Sequence, residues 1–260
     1  MTSEFIHPSK SIEVIQIDHG QRVVSRENVV SETSVSLTVN GNEWFNFLCT
    51  PLDLDSLAAG FLFSSQIIRS RDEIKALKVG LNGCGMDVWL SHAAEKPLLF
   101  QRNSGCSGGI SVPEIELEPL QDTNIFKISL AEINQILAAF YQNQQLYQST
   151  GGVHTSALFS GTDLRIKAED IGRHNTLDKI AGRLLLSGEQ VQKPILVTTG
   201  RVSLEMMQKA AMIRACFVIS RTSATTASVE LAEKIGICLI GYAQKDRLKV
   251  YTRPDQVLDG

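Results

Sequence analysis

Three short runs of almost wholly apolar residues, Ile195–Thr198, Cys216–Ser220 and Ile237–Ala243, alternate with two helical patterns, Ser203–Arg214 and Thr225–Ile235. Nothing else in the chain constrains its fold as much. A strand that is apolar at every position has both faces buried, and such strands joined by helices imply parallel crossovers. This part of the chain therefore reads as α/β, although the pattern leaves the strand order open.

The residues before it extend the same architecture. Ser129-Leu130-Ala131-Glu132 is a capping box, and Ile133, Ile136, Leu137, Phe140 and Tyr141 continue at helical spacing until Gly151-Gly152. Val153–Phe159 and Leu164–Ala168 form a hairpin around Ser160-Gly161-Thr162-Asp163, and Leu177, Ile180, Ala181, Leu184 and Leu185 mark another helix. The first third reads as short strands with one helix. Ser34–Val39 and Glu43–Cys49 flank Asn40-Gly41, a preferred hairpin turn, and Asp53-Leu54-Asp55-Ser56 opens a helix to about Ile68. Ile74–Leu81 and Met86–Leu90 form a further strand pair.

Asn103-Ser104-Gly105-Cys106-Ser107-Gly108-Gly109 has no large side chain and precedes a segment bearing Pro and Glu. It reads as a loop and linker. The division that follows is a smaller strand-rich part, residues 1–120, and an α/β domain, residues 121–260.

Composition narrows the function. With 25 basic and 28 acidic residues the net charge is −3, so no global positive field holds nucleic acid or an anionic membrane, and an anion site has to be local. Five dispersed cysteines with no Cys-x-x-Cys pair suit a reducing compartment. The N-terminus lacks an apolar export segment and no run reaches the length of a membrane span, so the expectation is a cytoplasmic protein.

Three places carry potential chemistry. In open α/β sheets ligands bind beyond the carboxyl ends of the strands. Those ends here carry Arg201, Arg221 and Arg247 among small hydroxyl and amide residues, which together suit a phosphate or nucleotide. Glu169-Asp170-Ile171-Gly172-Arg173-His174-Asn175 is the densest polar cluster, and it sets an Arg and a His at the helix end that disfavours cations. That mismatch points to an anion or to the Gly151-Gly152-Val153-His154 turn. The plainer alternative is an Asp170–Arg173 pair with His174 packed, and the two weigh evenly. Cys106 is the third, because glycines at 105, 108 and 109 let backbone N–H groups face the sulfur; Cys84, between Gly83 and Gly85, is its rival. Zinc-dependent deamination is excluded, since His154 is followed by Thr155-Ser156 and Pro-Cys-x-x-Cys is missing; no P-loop or GxGxxG occurs either.

Several blocks in order resemble the formate dehydrogenase accessory sulfurtransferases, the FdhD family. They are Thr50-Pro51-Leu52-Asp53-Leu54 through Gly60-Phe61-Leu62, Thr150-Gly151-Gly152-Val153-His154, and Glu169 through Asn175 with Leu177-Asp178-Lys179. Thr199-Gly200-Arg201-Val202-Ser203, Ser220-Arg221-Thr222-Ser223-Ala224 and Val229-Glu230-Leu231-Ala232 complete the set. The resemblance implies a zinc-free, cytidine-deaminase-like three-layer domain with the smaller strand-rich part attached. It implies a homodimer that takes sulfur from a cysteine desulfurase as a persulfide. The sulfur then passes to the molybdenum bis(molybdopterin guanine dinucleotide) cofactor before formate dehydrogenase receives it. The family's persulfide cysteine falls on Cys106, and its cofactor-binding segment falls on Tyr242, Ala243, Gln244, Lys245, Asp246 and Arg247. The family loop usually carries a second cysteine, but Cys106-Ser107-Gly108-Gly109 keeps only the first. Two alternatives stay open: a cofactor chaperone with Cys106 idle, and a guanine-nucleotide-binding protein without sulfur chemistry.

Overall fold

Two tight turns set the N-terminal strands of the computed structural model. Ser9–Asp18 (β1) and Gln21–Val30 (β2) pair across His19-Gly20, and Thr33–Val39 (β3) and Asn42–Cys49 (β4) pair across Asn40-Gly41. All four turn residues have positive φ, from 46° to 83°, the geometry whose twist matches paired strands. Residues 6–80, 83–96, 101–102, 110–111, 117, 119 and 126–258 are described; Cys106 and most of the segment read as a linker lie outside them.

Leu54–Ser64 (α1) follows β4 and is shorter than its periodicity suggests, because Gln66 turns the chain at φ 56°. Ile74–Val79 (β5) and Gly85–Leu90 (β6) complete a four-stranded sheet in the order β4-β3-β6-β5. Helix α1 covers one face, burying Leu57, Phe61 and Leu62 against Val35, Leu37, Phe47, Met86 and Val88. Gln101–Arg102 (β7) and Ile110–Ser111 (β8) form a minimal antiparallel pair.

The second half begins with Ile128–Ser129 (β9), Leu130–Gln142 (α2) and Gln145–Thr150 (α3). The Ser129–Glu132 capping box forms as expected, with Glu132 N donating to Ser129 Oγ at 3.2 Å and Ser129 N donating to Glu132 Oε2 at 2.8 Å. The expected single helix to Gly151 is instead two. It breaks at Asn143-Gln144, and the Glu169 carboxylate restarts it by accepting from Leu146 N and Tyr147 N at 3.2 and 2.9 Å. His154–Ser160 (β10), Asp163–Asp170 (β11), Arg173–Ser187 (α4) and Pro194–Thr198 (β12) come next. Leu204–Met212 (α5), Phe217–Ser220 (β13), Thr226–Ile235 (α6) and Cys238–Gln244 (β14) continue the alternation. Arg247–Val250 (β15) turns back on β14, and Val257–Leu258 (β16) pairs with β9.

These strands form a six-stranded sheet in the order β11-β10-β12-β13-β14-β15. The three apolar runs β12, β13 and β14 are parallel, as expected, and antiparallel strands flank them. Alternate residues separate two cores. Leu158, Leu196, Val218 and Leu239 pack on α4, α5 and α6, while Phe159, Ile195, Val197, Phe217 and Ile219 pack on α2. The half is a three-layer α/β/α unit. Among the described residues no helix is long and apolar enough to cross a membrane.

The two sheets meet where α1 crosses α4, and glycine decides how closely. A Cβ added at Gly60 would lie 1.7 Å from the Asp178 carbonyl oxygen, and one at Gly182 would lie 1.9 Å from that of Ser56. The backbones of the two helices therefore touch with no side chain between them.

Candidate functional site

Thr50, at the corner between β4 and α1, meets the polar block that ends β11. Asp170 is fully buried and accepts from Thr50 N at 3.1 Å, Gly172 N at 2.8 Å and Asn175 Nδ2 at 2.9 Å. Its charge is balanced by Lys179 Nζ at 2.6 Å, one helical stretch further on, and not by Arg173. Lys179 also donates to the Thr50 carbonyl at 3.1 Å, so two distant family-like blocks interlock around one buried ion pair. This network holds the β11–α4 turn and places Arg173 and His174 at the start of α4.

The mismatch between these two residues and the helix dipole is half resolved. Burial, with Lys209, Arg173 and His154 adding positive charge nearby, pushes His174 down to about 2, so it is neutral. Its Nε2 lies 3.4 Å from Ser203 Oγ and 3.6 Å from Glu205 Oε2. Arg173 remains as the cation there. Its stem lies against Gly200, where an added Cβ would come within 2.9 Å of the Arg173 Cβ. Gly200 thereby lets the Thr199-Gly200-Arg201 loop approach α4.

Above this turn lies a cavity of about 490 Å³ at the carboxyl ends of β12 and β13, lined among others by Tyr147, Gly152, His154, Thr199, Arg221 and Thr222. His154 opens β10, and because β10 runs antiparallel to β12 its first residue arrives at the carboxyl edge of the parallel strands. His154 Nδ1 lies 3.2 Å from Thr199 Oγ1. Burial, and after it the charge of Arg173, holds its imidazole below the usual histidine range. Arg221 stands exposed on the rim with its guanidinium carbon 5.9 Å from the Tyr141 ring centre. Two helix N-termini follow the two strand ends, α5 capped by Ser203 and α6 by Thr225. Their loops are tied by Val202 N to Ser223 O and Thr225 N to Val202 O, both at 3.0 Å. Hydroxyls, a neutral imidazole and an exposed guanidinium around one concavity suit an anionic ligand that also has a polar ring edge.

The strand-end arginines do not all converge. Arg221 lines the cavity, whereas Arg201 and Arg247 are exposed outside its lining. Arg247 is displaced because β15 reverses direction after Lys245-Asp246. Within the segment from Tyr242 to Arg247, Tyr242 is nearest to the cavity, its N–H donating to the Thr222 carbonyl at 2.9 Å. Its ring is exposed at a positive φ of 51° and lies under Lys249. Ala243 is buried, Gln244 and Lys245 are exposed, and Asp246 exchanges two hydrogen bonds with Asn134 on α2, at 2.7 and 3.1 Å. Tyr147 was not anticipated as a lining residue. Its place depends on the Glu169 cap of α3, a contact across more than twenty residues with no local signal.

The cysteines divide sharply. Burial pushes the Cys49 and Cys238 thiols up to about 12 and that of Cys216 to about 11, so none of them is a thiolate at neutral pH. Cys84 is exposed in the turn before β6, and Cys106 lies outside the described residues.

Known proteins resemble the chain over nearly its whole length. The model of the FdhD/NarQ family matches residues 30–258. The sulfur carrier protein FdhD of Wolinella succinogenes is 30% identical over 261 residues, covering 96% of this chain and 91% of that protein. The protein of the same name from Bacillus pumilus is 32% identical, covering 94% of this chain and 95% of its own. A crystal structure of a protein described as a formate dehydrogenase accessory protein, from Desulfotalea psychrophila, superposes with a TM-score of 0.78 at 27% identity. That match covers 96% of this chain and 99% of the other.

Proposed function

Because the chain belongs to the FdhD/NarQ family, we propose that it is a cytoplasmic, homodimeric sulfur carrier serving formate dehydrogenase. In this reading the Cys106 thiolate attacks the outer sulfur of a persulfide on a cysteine desulfurase. The desulfurase thiolate leaves, and Cys106 carries the sulfur as its own persulfide. The recipient is the molybdenum bis(molybdopterin guanine dinucleotide) cofactor, bound as cargo and not as a resident group. The observation that carries the assignment is the division among cysteines, since three of the five are buried with raised thiols and unsuited to nucleophilic attack.

The cavity at the ends of β12 and β13 suits the cargo's diphosphate. Arg221 and Thr222 line it, Arg173 adds its charge beside His154, and Tyr242 is tied to Thr222 through its backbone N–H. The α/β/α half is read as a zinc-free relative of the cytidine deaminase fold. One feature favours a second reading, a cofactor chaperone with an idle thiol: Gly109 stands where the family's second loop cysteine falls.

Incubation with a desulfurase and cysteine, followed by mass spectrometry of peptides, decides between them. Added sulfur on Cys106, lost in Cys106→Ser, is the expected result. Sulfur on Cys84, or equal labelling of Cys106→Ser, overturns the assignment. No labelling of either protein favours the chaperone.

A further inference from the structure

The ribbon β1–β2 is ten residues long on each strand and, among the described residues, forms a sheet of its own. Ten residues at strand spacing extend about 33 Å. An isolated two-stranded ribbon in water is marginal at best. This one also bares large aliphatics on both faces. The register sets Ile15 opposite Val24 and Ile17 opposite Arg22 on one face, with Ile12, Val23 and Val29 on the other. Ile15, Ile17 and Val24 are 62–63% exposed, and Ile12, Val23 and Val29 are 43–57% exposed. Among the described residues no other element combines so many exposed aliphatic residues. Near its root, Val30 lies under Gly152, where an added Cβ would come within 2.8 Å, so the ribbon is anchored beside the cavity.

We infer that the ribbon is the element that joins two copies of this chain, each clasping the other. The inference rests on the homodimeric reading above. Three observations select a second copy as the occupant. The ribbon's charges are balanced, with Lys10, Arg22 and Arg26 against Glu13, Asp18 and Glu27, which offers nothing to a partner or surface of one sign. The aliphatic pair Ile15–Val24 stands at its middle with charged residues to either side, the apolar centre and polar rim of a protein interface. In a two-fold pair the six exposed aliphatics of one ribbon meet the same six on the other, so a single contact covers all twelve.

The test is sedimentation equilibrium of the full chain at micromolar concentration, with two variants. Ile15→Lys/Val24→Glu replaces a cross-strand pair by opposite charges, which keeps the ribbon paired while making its face polar. Val79→Lys makes a similar change at an exposed aliphatic residue away from the ribbon. The expected result is a dimeric parent, a dimeric Val79→Lys, and a ribbon variant whose dimer dissociation constant rises about a hundredfold with an unchanged circular dichroism spectrum. A dimeric ribbon variant overturns the ribbon assignment and leaves the homodimer standing. A monomeric parent overturns both. If that monomer sediments with phosphatidylcholine–phosphatidylglycerol vesicles, the ribbon's occupant is a lipid surface instead.

Discussion

Replacing Gly60 with alanine tests the seam between the two sheets, because helix propensity and packing forecast opposite signs. In a free helix interior the change stabilises by about 1 kcal/mol. Here the new Cβ would stand 1.7 Å from the Asp178 carbonyl oxygen and 2.6 Å from the Gly182 nitrogen. Ordinary contact is roughly twice the shorter distance, so α1 and α4 must part by about 1.5 Å. The obstructing atoms are backbone, and no rotamer change relieves them. Moving α4 also displaces Asp178, bonded to Lys209 at 2.5 Å, and Lys179, bonded to Asp170 at 2.6 Å. Overpacking ordinarily costs 1–3 kcal/mol, and an obstacle with nowhere to move belongs at or above the upper end. After the propensity gain, Gly60→Ala should lose about 2–4 kcal/mol, a large share of the ~5–15 kcal/mol that holds a domain together. Urea unfolding followed by circular dichroism measures it, with an unchanged slope as the check on two-state behaviour. Gly182→Ala should behave alike, and the double variant should lose less than the sum, since one displacement relieves both contacts. A Gly60→Ala protein as stable as its parent, or more so, refutes the seam.

Three further outcomes follow from the same geometry. Lys179→Met strands the buried Asp170 carboxylate and should cost about 3–5 kcal/mol, most of it recovered by adding Asp170→Asn; a loss no larger in the single than in the double variant refutes the pairing. Arg221→Ala should weaken guanosine diphosphate binding by about 1.5–3 kcal/mol, tenfold or more, in calorimetry, while Arg247→Ala leaves it unchanged; equal losses at both positions refute the cavity assignment. His174 is held down at about 2 from an ordinary 6.5, so the unfolded chain binds more protons throughout that interval. Its contribution to stability is complete above 6.5 and falls as pH drops, by up to about 1.4 kcal/mol per unit. Unfolding free energies between pH 7 and about 5 should lose one proton's worth of slope in His174→Gln, and an unchanged slope refutes the burial argument.

What the sequence discloses and what it withholds divide along the range of the forces involved. Strands β12 to β14 are legible because burial on both faces confines their polar residues to the carboxyl ends, and the turns at Asn40-Gly41 and the Ser129 cap because their chemistry is local. The density of the block from Glu169 to Asn175 is equally plain. Its wiring is not. Asp170 has Arg173 three residues away and Lys179 nine residues away, and only a turn of α4 packed on Thr50 selects the lysine. The break between α2 and α3 is hidden for the same reason, since the capping carboxylate comes from β11. The arginines show the limit from the other side. The end of β13 brings Arg221 to the cavity, while the reversal into β15 carries Arg247 away from it. Cys106 lies outside the described residues, so its reading rests on the loop's composition and the family.

The bare contact of α1 on α4 has a mechanical consequence. Domains that open and close do so on loops that absorb rotation or on helices that slide over interdigitated side chains. At the Gly60–Gly182 crossing the backbones meet with no side chains to slide over, and the adjoining Asp170–Lys179 and Asp178–Lys209 pairs cannot be drawn into water cheaply. A hinge between the two sheets is therefore locked. Whatever movement admits a ligand to the cavity must come from its rim, in the short helix α3, the Gly151-Gly152 turn and the Thr222 loop, while the floor stays still.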